Sequence, residues 1–246
     1  MATGANRQSG RFDQIHEWLI KVLVVASLIL VPMAIYMVLV RAPVEGEMGV
    51  VQKIFYFHVP SAITMLLHFM IAGVLSLLFL ITSNRRFDNW AAACADVGLV
   101  FAAMVLISGP LWGYKAWGTA WTGEPRLNLT LLMLLIYLGY DALRRFGGRD
   151  LFTLKIAAAV SALSVPGLYF IRTAVERWGG NHPPNMKAGG YTDDPDMALA
   201  FNLSFAAVLV LSITFSMLRA RVRGAADQIE TLWADAQDAG LDVDRD

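Results

Sequence analysis

The segment Leu111 to Thr130, LWGYKAWGTAWTGEPRLNLT, lies between two long apolar runs and sets Trp112, Trp117 and Trp121, three glycines and the Glu124/Arg126 pair into an otherwise hydrophobic chain. Such a stretch does not span a bilayer, because Gly118, Gly123 and Pro125 break helical order. The indoles present large flat apolar faces with a polar N–H at one edge, which suits the boundary between membrane and water. Two readings follow: an aromatic belt that anchors the protein at the interface, or a platform for a large planar apolar ligand.

Outward from this segment the chain is built for lipid. Of 246 residues, 57% are hydrophobic and 16% charged, with the charge gathered into short clusters. That composition indicates an integral membrane protein with little room for a soluble domain. The apolar runs are Leu19 to Val40, Val59 to Ile81, Ala91 to Leu111, Leu127 to Leu143, Leu151 to Ile171 and Ala198 to Leu218. Each is near the ~20 residues that cross a hydrocarbon core, and the fourth, the shortest, has room to start earlier. The expected fold is all-α: a bundle of six transmembrane helices over residues 1–223, with an outer Trp-rich loop at 112–126 and a short amphipathic tail at 224–246.

Lys and Arg orient the bundle. Asn84-Arg85-Arg86, the run Arg144 to Arg149, and Arg219, Arg221 and Arg223 carry little opposing charge, so these connections and both termini are expected in the cytoplasm. The other three connections mix both signs and are expected outside, where longer, less repetitive loops tend to carry binding residues. The N-terminal stretch lacks a signal-peptide pattern and is expected to be retained. Cys94, the only cysteine, provides neither a disulfide nor a CxxCH haem attachment, so any haem is held without a thioether bond through this chain. There is no Walker loop or zinc spacing, and the chain itself is not an ATPase.

Four histidines are the candidate metal ligands. His58, in KIFYFHVPSA, stands at the mouth of the second span, with Pro60 near the expected helix start where a missing N–H costs little. His182, in ERWGGNHPPN, lies in the connection between the fifth and sixth spans, on the same expected face as the Trp-rich segment. Taken singly, either is an ordinary interfacial histidine; together they match the two axial imidazoles of a low-spin haem. Trp117 and Trp121, four residues apart, would wall the macrocycle from one helical turn or a tight loop, and Arg126 would pair with a propionate. His68, ten residues beyond His58, lies ~15 Å deeper by helical rise and is read as a packing residue. His16 is read as interfacial, and Asp96, isolated in the third span, as snorkelling to the inner boundary. Beyond RARVRG, residues Ile229, Leu232, Trp233 and Ala236 fall on one helical face, which fits a solvated acidic tail or a helix that docks a cytosolic partner.

These residues resemble the haem exporter C family (CcmC) of the haem-handling superfamily, marked by an outward loop of the form WGxxWxWDxRL. Trp117-Gly118-Thr119-Ala120-Trp121 matches the first half of that motif and Arg126-Leu127 its end; Phe57-His58-Val59-Pro60 looks like the family's first ligand site, and His182 falls where the second is expected. The likeness extends over all six spans. Where the motif has Trp-Asp, this chain has Gly123-Glu124-Pro125: Glu124 keeps the acid, the third indole is absent, and Trp112 stands at the other end of the segment.

The resemblance implies non-covalent haem b at the outer face of a bacterial inner membrane, with His58 and His182 as iron ligands and Trp112, Trp117, Gly118, Trp121, Glu124 and Arg126 around the cofactor. It implies handover to the periplasmic haem chaperone CcmE during cytochrome c biogenesis, and association with CcmD and the CcmA/CcmB ABC transporter in the lipid bilayer. It implies no nucleic acid partner and no catalysis by this chain, ATP being hydrolysed by a partner. The alternative is a permanent bis-histidine haem b electron-transfer subunit. A channel would need polar residues strung through the spans, and few are read there; a purely structural transporter subunit would not need the outer histidines.

Overall fold

The computed structural model describes residues 3–148, 150–182 and 194–240. They form six helices: α1 (Thr3–Tyr36), α2 (Phe55–Thr82), α3 (Arg85–Trp117), α4 (Pro125–Phe146), α5 (Leu151–Trp178) and α6 (Pro195–Asp238). All six are long and apolar enough to cross a membrane, and no strand occurs among the described residues.

The helices overrun the apolar runs wherever no breaker intervenes. α3 begins at an Asn84 cap that accepts the Arg86 N–H at 3.0 Å. It then continues six residues past Leu111 to Trp117. Trp112 and Trp117 therefore stand on a helix, which corrects the expected loop over 112–126. Its end is set by Gly118, whose φ of +74° turns the chain left-handed while its N–H bonds the Tyr114 carbonyl at 3.1 Å. Pro125 does not interrupt a helix; it occupies the first turn of α4, where no N–H is required. α2 starts four residues before Val59, because the aromatic Phe55-Tyr56-Phe57 run extends it, so Pro60 lies inside the helix rather than at its start. The tail is helical to Asp238 as a direct continuation of α6, not a separate element.

α2 is the central post, packed against α3, α5 and α6, while α1 leans mainly on α6. Without water to drive association, close fit is what holds such a bundle. Ala91, Ala92, Ala93, Ala95 and Ala102 are buried on α3, and Phe69 stacks on Tyr137 with ring centroids 3.8 Å apart. The Tyr137 hydroxyl donates to the Phe69 carbonyl at 2.9 Å. The spans carry more polar groups than expected. Ser27, Ser61, Thr64, Ser76, Ser161, Ser164, Ser204, Ser212 and Thr214 are all buried, and several bond carbonyls of their own helix, as Ser27 does to Leu23 and Thr214 to Val210. His68 sits among them, its ring bonded to the Thr64 carbonyl at 2.8 Å and the Ser216 hydroxyl at 3.1 Å, in the packing role expected of it.

Ion pairs tie the far end of the bundle. Arg144 grips Asp88 through two hydrogen bonds of 2.6 and 2.8 Å, both side chains buried. Asp96 does not snorkel to water but accepts from Arg219 and Arg223 of α6, each at 2.8 Å. At the opposite end, α1 runs into a π-helical turn, Met37–Arg41, whose Leu39 carbonyl is satisfied by Lys53 at 2.9 Å. Antiparallel helices with short connections bring the start of α2, the end of α3, the start of α4 and the end of α5 together there.

Candidate functional site

These four helix ends enclose a cavity of about 390 Å³, lined by Gln52, His58, Trp112, Arg126, Arg172 and His182 with apolar residues below them. The volume is in the range of roughly 300–1,000 Å³ typical of small-molecule and cofactor sites. Polar groups gather at the mouth. Ala62, Ile63, Met65, Leu66, Val105 and Leu106 form an apolar floor.

His58 lies on α2, the first turns of which carry it to the cavity wall. Its Nδ1 is 2.9 Å from Ser108 Oγ, and Ser108 gives its own proton to the Met104 carbonyl at 2.6 Å. The serine has no second proton, so Nδ1–H donates and Nε2 keeps its lone pair. Gly109 leaves room for the ring: a Cβ there would lie 3.0 Å from His58 Cε1.

His182 follows α5 by four residues, after Gly179 and Gly180 have ended the helix. Its Nδ1–H donates to Glu124 Oε1 at 2.5 Å, so here too Nε2 is the nitrogen with a lone pair to offer. Burial lowers the pKa of His182 below its ordinary value against the opposing pull of Glu124, and Arg126 adds to the lowering. The lowering favours the neutral imidazole, the form that binds metal.

The tryptophans divide. Trp112 lines the cavity and donates from Nε1 to Gln52 at 3.3 Å. Trp117 stands behind it, edge-on to Trp112 at 5.5 Å and tilted against the His182 ring at 5.3 Å. Trp121 is outside the cavity wall, exposed on the turn between α3 and α4, its indole N–H on Asn128 at 3.3 Å. Trp117 and Trp121 therefore do not share a helical turn, since Gly118 separates them. Gly118 shapes the backbone rather than the wall. Arg126 is on the wall, with Nη2 3.4 Å from the Arg172 carbonyl. Glu124 is buried and turned toward residues 181 and 182.

Sequence reading missed Gln52, Ser108, Gly109, Arg172 and Gly180. A signal existed for one of them: Ser108 and Trp112 are four apart and share a helical face. Arg172 and Gln52 belong to elements whose register at the mouth only packing decides.

The fold and site define a six-span membrane protein with an amphipathic, two-imidazole cavity at one end of its bundle. The chain belongs to the heme exporter protein C family, whose CcmC family model matches residues 4–235. It is 31% identical over 210 residues to a heme exporter protein C of Bradyrhizobium diazoefficiens, covering 82% of this chain and 80% of that one. The Escherichia coli K12 heme exporter protein C is 30% identical over 217 residues, 86% of either chain. A heme exporter protein C of Rhodobacter capsulatus is 40% identical over 101 residues, 41% of this chain and 42% of that one.

Proposed function

We propose that this chain binds haem b non-covalently at the outer face of the inner membrane and presents it to the periplasmic chaperone CcmE for cytochrome c maturation. His58 and His182 are the axial ligands. The observation that carries the reading is their convergence: two histidines 124 positions apart line one cavity, each with Nδ1 committed to a fixed acceptor and Nε2 left to coordinate.

The surroundings fit the group. The apolar floor suits a macrocycle, Arg126 and Arg172 at the mouth suit propionates, and Trp112 adds an aromatic wall. When bound, haem supplies an iron centre that takes both imidazoles. The chain's own residues hold the ring nitrogens in the coordinating tautomer and leave the cavity at the rim of the bundle, where a soluble protein has access. Membership of the heme exporter protein C family supports haem handling, and the association with CcmD and the CcmA/CcmB transporter is part of the same proposal.

The test is the absorption spectrum of the detergent-solubilised protein with pyridine haemochrome analysis, followed by addition of haem-free CcmE. A bis-imidazole b-type spectrum that passes to the chaperone supports delivery. Haem retained with the chaperone present identifies a permanent electron-transfer subunit, and no haem after supplementation removes the reading.

A further inference from the structure

Glu124 occupies the cap position of α4, yet its carboxylate caps nothing in that helix. It reaches across to the segment after α5, where Oε1 accepts the His182 ring N–H at 2.5 Å and Oε2 accepts the backbone N–H of Asn181 at 2.6 Å and of His182 at 3.2 Å. Three donors from two consecutive residues thus converge on one carboxylate that is only 8% exposed. Gly180 completes the fit. Its φ is +141°, and a Cβ built there would run into the Glu124 carboxylate, with Cδ at 3.1 Å.

The two cavity imidazoles are consequently held in different ways. His58 is fixed by a helix and backed by a neutral hydroxyl. His182 sits on a non-helical connection after two glycines and is backed by an anion. A carboxylate on the remote nitrogen orients an imidazole, raises its basicity toward a metal, and favours the more highly charged metal state.

We infer that Glu124 is the positioning residue for His182: a latch that aims Nε2 into the cavity and makes this imidazole the stronger donor to ferric iron. The inference rests on the ligand reading proposed above. It gives Glu124 a task through His182 instead of direct contact with haem.

The experiment uses the full chain in detergent with Glu124→Gln, Glu124→Ala and Gly180→Ala. Without haem, hydrogen exchange is followed in peptides covering 179–182. With haem, affinity and midpoint potential are measured. Glu124→Gln is nearly isosteric and serves even where the alanine variant folds poorly. The expected result is faster exchange at 181–182 in Glu124→Ala, haem affinity lower by roughly 10–100-fold in both Glu124 variants, and a midpoint shifted positive. Gly180→Ala reproduces the affinity loss with the carboxylate intact. Wild-type affinity and potential in both Glu124 variants overturn the latch while leaving the ligand reading, whether or not exchange quickens. Failure of the wild-type protein itself to take up haem overturns the ligand reading and the latch with it.

Discussion

Ser108 Oγ stands 2.9 Å from His58 Nδ1 and 2.6 Å from the Met104 carbonyl, so one hydroxyl closes a chain that leaves His58 Nε2 as the free lone pair. Ser108→Ala removes the acceptor and lets the ring sample the other tautomer. Haem affinity is expected to fall by about tenfold, the low end for a ligand-orienting partner. The absorption maxima should stay bis-imidazole. A haem titration of the variant checks this.

The ligand assignment makes a sharper demand on the four histidines. His58→Ala and His182→Ala each remove one axial imidazole, and both should weaken haem binding and abolish transfer. His16→Ala and His68→Ala should retain bound haem. His68→Ala is expected to cost stability instead, on the order of 1–3 kcal/mol, because Ser216 loses a buried partner. Spectra and thermal unfolding of the four variants separate the two effects. Equal haem loss in all four means that the substitutions act through folding.

The three indoles separate by position. Trp117 packs on the His182 ring, so Trp117→Ala is expected to weaken haem binding as well as handover. Trp121 is exposed and off the cavity wall, and Trp121→Ala should slow chaperone loading with an unchanged spectrum. Trp112→Ala loses one cavity wall and the bond to Gln52. A loading defect as large as that of Trp121→Ala supports its compensation for the absent third indole. Each contact is worth on the order of 1 kcal/mol, several-fold in a transfer equilibrium. Chaperone loading assays on the purified variants read this, and wild-type loading by all three returns the segment to an interfacial belt.

Asp88 and Arg144 form a buried bidentate pair far from the cavity. Asp88→Ala leaves an uncompensated guanidinium and is expected to destabilise the protein by ~3–5 kcal/mol. Adding Arg144→Met should recover much of that loss, since an apolar side chain has no charge to desolvate. Thermal unfolding in detergent measures both, and an additive double variant contradicts the pairing.

The orientation is testable by fusion. A reporter active only in the periplasm should work near Lys115 or Lys187 and fail at Arg86, Gly147 or the C-terminus, as the distribution of Lys and Arg requires. Lys187 itself lies outside the described residues. The reverse pattern places His58 and His182 on the cytoplasmic side and removes delivery to a periplasmic chaperone.

The six helices were legible in the chain by itself, because hydrocarbon imposes a length and an apolar composition that local reading detects. So were His58, His182 and Arg126 as candidates, since two imidazoles and a guanidinium fall on the same expected face as the Trp-rich segment. Helix ends were less legible. α3 runs to Trp117 because nothing before Gly118 stops it, and the aromatic run before His58 extends α2 back to Phe55; both depend on cooperative hydrogen bonding more than on composition. What only the tertiary structure decided is which groups meet. Ser108 faces His58 across fifty positions and Glu124 faces His182 across fifty-eight. Asp96 meets Arg219 and Arg223 instead of water. Hydrogen bonds and ion pairs between helices follow from rotation and register, which are set by the packing of Phe69 on Tyr137 and of the α3 alanines, and no local pattern in the chain encodes them.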